Sequence, residues 1–211
     1  QKTLAVVADA KSKTYGDTDP ELTYTTDGLV GEDSLTGSLD RVAGEDVDTY
    51  AIGQGTLDNA NYDITFTADD LTISQKALTV TADAKSKTYG DSDPTLTYTT
   101  DGLVGTDSLS GSLDRVAGED VDTYAINQGT LGNSNYDITF NSADLTIGAK
   151  ALTVTAAAKS KVYDSNDPAL TYSSIGLKSG DSITGDLSRS SGENVGTYAI
   201  NQGTLSAGSN Y

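Results

Sequence analysis

The stretch Lys11-Ser12-Lys13-Thr14-Tyr15-Gly16-Asp17 returns unchanged as Lys85–Asp91 and, altered, as Lys159-Ser160-Lys161-Val162-Tyr163-Asp164. Tyr15, Tyr89 and Tyr163 are 74 residues apart, and Tyr50, Tyr124 and Tyr198 keep the same spacing. Repetition of this kind governs how the rest of the chain is read. It divides the sequence into repeat domains over 1–74, 75–148 and 149–211. The first two copies differ at 14 of 73 positions, and the third has diverged further. A period of 74 is too long for solenoid repeats of roughly 20–50 residues, which share one continuous core. It suits a small domain that must be well packed to be stable alone. Length by itself, at 211 residues, would have suggested one or two domains.

The third copy has one extra residue after Leu205, so its counterpart of Tyr62 and Tyr136 is Tyr211. It has no counterpart of Asp63–Ile73, whose pattern D-I-T-F…D-L-T-I reads as a strand or two. The expectation is a C-terminally truncated copy from a longer array, with an exposed strand edge open to end-to-end or strand-swapped association.

Alternation of apolar and polar residues dominates each copy. Leu78-Thr79-Val80-Thr81-Ala82 has period 2 and is rich in β-branched residues, which predicts a strand. Leu22–Thr25, Thr49–Ile52, Tyr62–Phe66 and Leu71–Ile73 read likewise. Turn chemistry separates them at Gly16-Asp17, Asp19-Pro20, Asp27-Gly28, Ala43-Gly44 and Gly55. Only Leu29–Leu35 has room for a helical turn, and no run has a sustained 3.6-residue period. The fold class expected is mainly β. Between copies, Leu71–Val80 contains no Gly or Pro, and Leu145–Val154 contains only Gly148. Ten extended residues span roughly 33 Å, so these short, stiff junctions predict an elongated rod, unlike a flexible Gly/Ser linker.

Composition excludes several functions. There are 31 acidic and 13 basic residues, a net charge of −18, with no His, Cys, Met or Trp. No imidazole base, thiolate or zinc site of the usual ligands is available, and no disulfide. The charge argues against nucleic acid and against an anionic membrane surface. No apolar run approaches the roughly 18–20 residues that span a bilayer. The charge is uneven, at −11, −7 and 0 over the three copies. Like charge on successive units opposes close association and keeps an array soluble.

The recurring pattern resembles the MBG-type repeats of large bacterial surface adhesins, the type marked by a Tyr-Gly motif. The most specific pieces are Lys13-Thr14-Tyr15-Gly16 with Asp19-Pro20, the Tyr50-Ala51-Ile52 strand, and Asn61-Tyr62-Asp63-Ile64-Thr65. The resemblance covers essentially the whole chain and implies small β-grasp-like domains in tandem on a secreted or cell-surface protein. An immunoglobulin-like sandwich is the alternative fold. The third copy departs from the pattern, with Asp164 where the motif glycine stands.

Candidate sites are few. Asp17 and Asp19 stand two apart, as in some Ca²⁺ loops, but no EF-hand ligand set accompanies them, and an Asp-Pro surface turn is the expected reading. Glu45-Asp46-Val47-Asp48 and Glu119–Asp122 read as solvated loops, since the third copy has Glu193-Asn194-Val195-Gly196. Tyr24, Tyr50 and Tyr62 lie on alternating strands and read as core, whereas Tyr15, beside its turn glycine, is the best exposed candidate for stacking on a glycan. Lys11-Ser12-Lys13 is expected to balance nearby carboxylates, with a Lys–Asn isopeptide bond as the sharper alternative. Ser and Thr lack an activating base, so no catalytic, cofactor or metal residue is assigned and the chain is expected not to be an enzyme. The expected role is a monomeric stalk at the bacterial surface, making contact with neighbouring repeats of its own chain. The second reading is a multivalent module for a glycan or host protein.

Overall fold

A computed structural model describes all residues, Gln1–Tyr211, and is built from strands and turns without a helix. Backbone contacts gather the chain into two compact units. The first comprises Gln1–Thr81, Tyr98–Ser112 and Gln128–Asn141, and the second Ala82–Thr97, Leu113–Asn127 and Ser142–Tyr211.

The first unit contains the whole first copy, whose strands are β1 (Lys2–Ala8), β2 (Lys11–Thr14), β3 (Tyr24–Asp27), β4 (Asp40–Arg41), β5 (Thr49–Gly53), β6 (Tyr62–Thr67) and β7 (Asp69–Ser74). They form two sheets, ordered β3-β1-β6 and β2-β7-β5-β4. β1 runs parallel to β6 from Lys2↔Tyr62 to Val7↔Thr67, and β2 parallel to β7 from Lys11↔Leu71 to Thr14↔Ser74. The offset is 60 in both ladders, so the two chain segments bend together at Asp9-Ala10 and Ala68 without slipping. Register is held because a one-residue slip would turn every buried side chain outward. Leu4, Val6 and Ala8 of β1 point inward with Leu71 of β7, Ile52 of β5 and Tyr62 of β6, while their neighbours along each strand are exposed or half-buried. The fold is mainly β. Its parallel central ladders distinguish it from an antiparallel immunoglobulin-like sandwich, and where a helical turn was allowed there is one bond from Asp33 N to Val30 O.

This unit also holds, from the second copy, β8 (Lys76–Ala82) up to Thr81, β10 (Tyr98–Asp101) and β13 (Tyr136–Asn141). β8 and β13 are parallel from Lys76↔Tyr136 to Thr81↔Asn141, the same offset of 60. Over Leu71–Val80, β7 and β8 follow each other with a single residue between them. β7 ends at Ser74, and Gln75 turns its side chain to the carbonyls of Ser134 and Tyr136, 3.0 and 3.1 Å away.

The second unit contains β9 (Lys85–Thr88), β11 (Asp114–Arg115), β12 (Thr123–Asn127) and β14 (Ala143–Gly148), in the order β11-β12-β14-β9. The third copy adds β15 (Thr153–Ala156), β16 (Tyr172–Ile175), β17 (Ser188–Arg189) and β18 (Ile200–Asn201), which pair only two by two.

Two expectations shift. β3 begins at Tyr24 rather than Leu22, because β1 ends opposite it at Ala8↔Tyr24. In the third copy β15 starts at Thr153 rather than at Leu152, the counterpart of Leu78. At the motif glycine, Gly16 and Gly90 have φ of 84° and 85°, and Asp164 holds 68° at the same place. Asp is among the few residues that tolerate the left-handed region, so the turn survives the departure.

Candidate functional site

Two constellations recur in the chain. One is an ion-pair knot within each copy; the other is a junction between consecutive copies.

In the first copy the knot starts from β2, whose side chains alternate and so direct Lys13 inward. Its side chain is only 4% exposed, yet its ammonium meets Asp19 at 2.7 Å and also Glu45. Arg41 of β4 approaches the same carboxylates: Nε is 2.6 Å from Asp19 Oδ2, Nη2 is 3.1 Å from Asp19 Oδ1, and Nη2 also pairs with Glu45. Its Nη1 donates to the carbonyls of Val42 and Gly44 at 2.9 and 2.6 Å. The guanidinium also lies 5.5 Å from the Tyr50 ring centre, a cation–π distance. That ring occupies the space where a β-carbon on Gly44 would lie, which is why glycine stands there. Lys87, Asp93, Arg115 and Glu119 repeat the knot, as do Lys161, Asp167, Arg189 and Glu193.

Hydrogen bonds from Arg41 and then Lys13 bring the Asp19 pKa down to about 2. Burial opposes the charge on Lys13, but its bonds to Asp19 and Glu45 outweigh that and its pKa is raised. The Asp-Pro turn thus supplies an ion-pair partner, and Lys13 faces carboxylates, not the amide of an Asn. The protonated amine has no free lone pair with which to attack, and an ionised carboxylate is a poor electrophile, so the pair stays ionic.

The Asp19 shift fixes a pH dependence. Its carboxylate is held ionised in the fold, so the stability it contributes is complete above its unfolded pKa of about 3.9 and is lost as pH falls toward about 2. Urea unfolding of the first copy at pH 5, 3.5 and 2.5 should show a declining midpoint, with a flatter decline in Asp19→Asn. Identical slopes for the two proteins would contradict the assignment.

The junction in the first unit joins the first copy to the second. Tyr15 Oη donates to Asp107 Oδ2 at 2.8 Å, and Tyr136 Oη donates to the same oxygen at 2.5 Å. The two rings meet edge to face, 5.4 Å between centres and 73° between planes. Val104 N donates to Tyr136 Oη at 2.9 Å. Alongside, the buried Asn135 accepts from Val47 N at 2.9 Å and donates to Asp46 Oδ1 at 2.8 Å. The hydroxyls of Tyr136 and then Tyr15 hold the Asp107 carboxyl below its usual range. In return, the hydrogen bond to Asp107 raises the Tyr15 pKa, and burial, then Asp107, raises that of Tyr136.

The second unit contains the same junction between the second and third copies. Tyr89 and Tyr211 both donate to Asp181 Oδ2, at 3.0 and 2.5 Å, with ring centres 5.6 Å apart. Asn210 accepts from Val121 N at 2.8 Å and donates to Asp120 Oδ1 at 2.9 Å. Lys178 replaces Val104 and places its ammonium 4.5 Å from the Tyr89 ring centre.

Several sequence-based site readings are corrected here. Tyr15, read as the best exposed aromatic, is half-buried in the junction. The loops Glu45–Asp48 and Glu119–Asp122 are not simply solvated: Glu45 and Glu119 enter the knots, and Asp46 and Asp120 hold the junction asparagines. Tyr62 is core as expected, and Tyr24 and Tyr50 are half-buried. Sequence reading missed Asp107 and Asp181. Their signal was recurrence at the 74-residue spacing within Asp-Ser pairs.

A family model for the MBG domain (YGX type) matches residues 4–72, 78–146 and 152–211. No curated protein and no solved structure matches the chain.

Proposed function

The chain belongs to the MBG domain (YGX type) family, matched three times over, and from that membership we propose that it is a stalk segment of a bacterial surface adhesin. MBG repeats are found in surface adhesin-like proteins and are typical of secreted surface proteins. No helix of the structure is long and apolar enough to cross a membrane. On this reading the chain comprises domains over 1–74, 75–148 and 149–211 and lies outside the cell. It acts as a monomeric, extended spacer that carries a terminal binding domain in support of adhesion or biofilm formation. It does no catalysis and binds no nucleic acid or cofactor.

The observation that supports a stalk is the junction itself. A spacer must resist bending between its domains, and the contacts Tyr15–Asp107–Tyr136 and Asp46–Asn135 recur as Tyr89–Asp181–Tyr211 and Asp120–Asn210. Partly buried hydrogen-bonded groups of this sort favour one arrangement, because the cost of an unpaired partner rises toward about 1–3 kcal/mol as it is buried. The motif tyrosines Tyr15 and Tyr89 are used in these junctions, which favours the spacer over the glycan-binding reading, while Tyr163 is left 64% exposed.

Spin labels placed on exposed Thr25 and Thr99 test the junction within the first unit. The expected inter-label distance distribution is narrow in the native chain and broad in Asn135→Ala with Tyr15→Ala. A broad distribution in the native chain would refute a stiff stalk.

A further inference from the structure

Each junction brings two tyrosines from different copies into contact. Tyr15 of the first copy and Tyr136 of the second meet edge to face with ring centres 5.4 Å apart. Tyr89 of the second copy and Tyr211 of the third do so at 5.6 Å. Packing alone accounts for an edge-to-face contact. It does not account for where the hydroxyls point. In each pair both of them converge on one carboxylate oxygen, that of Asp107 or of Asp181. The hydroxyl ends of the two rings are thus the ends drawn together, and with them the Cε carbons that flank each hydroxyl.

Composition makes tyrosine the residue on which an oxidising equivalent settles. Cys and Met, common targets of oxidation, are absent, as are Trp and His, while there are 12 tyrosines. A phenol that loses an electron becomes strongly acidic and must pass its proton to a base. Asp107 touches both hydroxyls of the first pair, and those of Tyr136 and then Tyr15 keep it ionised. Asp107 is itself half-buried, so water can carry the proton onward. Tyr15 is half-buried and Tyr136 only 3% exposed. An oxidant in solution therefore meets Tyr15 first, and Tyr136 is reached through the ring it touches.

We propose that Tyr15 and Tyr136 form an oxidative cross-linking site, joined as a dityrosine by a peroxide acting with a haem peroxidase, and that Tyr89 and Tyr211 form the same site at the next junction. Each ring gives one electron to the oxidant and its phenolic proton to the shared aspartate and then to water. The two phenoxyl radicals combine through a new carbon–carbon bond between one Cε of each ring. Each joined carbon then releases its hydrogen as a proton while its oxygen regains one, which restores both phenols. Two electrons and two protons leave in all, and one hydrogen peroxide takes them up to form two waters. The ring centres must close from 5.4 Å for the bond to form. The product ties consecutive copies covalently where hydrogen bonds alone held them. The site rests on the junction geometry and the composition, and stands independently of the stalk reading.

The test treats the full chain with hydrogen peroxide and a haem peroxidase, isolates the monomer, and measures its mass, its fluorescence and its proteolytic peptides. The monomer should be lighter by two hydrogen atoms per cross-link and show the blue fluorescence of dityrosine. One cross-linked peptide pair should contain Tyr15 and Tyr136, and a second Tyr89 and Tyr211. The yield should not change when the protein is diluted, because both partners lie in one chain. Tyr15→Phe should lose the first pair and keep the second. Asp107→Asn should lower the yield of the first pair and leave the second unchanged; equal yields of the first pair would overturn the role given to Asp107. A monomer that loses no hydrogen, cross-links formed only between molecules through Tyr163, which is 64% exposed, or a yield that falls on dilution would overturn the proposal.

Discussion

Leu71→Ala is expected to destabilise the first copy by about 3 kcal/mol, within the range measured when a buried leucine is truncated and its cavity cannot collapse. Leu71 is fully buried on β7, opposite Lys11 of β2 on one side and Tyr50 of β5 on the other. Strands on both sides limit any collapse, and Leu4, Val6 and Ile52 share the cluster. A domain of this size has about 4–11 kcal/mol in total, at roughly 0.05–0.15 kcal/mol per residue. The loss should lower its melting temperature by about 12–24 °C at 4–8 °C per kcal/mol. Urea titration followed by the amide signals of β1, β6 and β7 would measure it. Leu145→Ala, at the equivalent buried position of the second copy, should cost as much. Val154→Ala in the open third copy should cost less than about 1 kcal/mol, because its side chain is partly in water already. Equal losses at Leu71 and Val154 would contradict the burial described.

The second large effect is Arg41→Ala, expected to destabilise the first copy by about 2 kcal/mol. The change removes hydrogen bonds to Asp19, Glu45 and the carbonyls of Val42 and Gly44, together with the stacking on Tyr50. It also leaves Lys13 as the sole cation facing two carboxylates. Charge-assisted bonds are each worth about 1.5–3 kcal/mol, but Asp19 and Glu45 are 38% and 66% exposed, and solvent screening reduces their share. Arg41→Lys should recover less than half of the loss, because an ammonium cannot reproduce the planar fork. Arg189→Ala should cost less than Arg41→Ala, since its side chain is 21% exposed against 11%. Chemical unfolding of the single variants would measure all three, and full recovery by lysine would show that charge alone matters.

The strands were legible wherever the inward residue is apolar. Leu78, Val80 and Ala82 alternate with threonines, and the burial of β8 follows that pattern. β2 was not legible, because its inward residue is Lys13, whose polarity hides the alternation until Asp19 and Glu45 are brought beside it. β4 is only two residues long and has no pattern to show. Parallel pairing at an offset of 60 depends on contacts distant in sequence, and period-2 alternation is the same in parallel and antiparallel strands. At the site, the basic tripeptide and the acidic turn were each singled out, and the expected charge balance is what Lys13 makes with Asp19. The role of Tyr15 was not legible, because a residue beside a turn glycine looks exposed when one copy is considered alone. Its partners, Asp107 and Tyr136, are supplied by the next copy.

Small-angle X-ray scattering of the full chain tests the stalk most directly. A compact chain of 211 residues has a radius of gyration of about 17 Å. Tandem domains held at fixed junctions predict a value well above that, with a distance distribution skewed to a long tail. A radius near about 17 Å with a symmetric distribution would contradict the stalk.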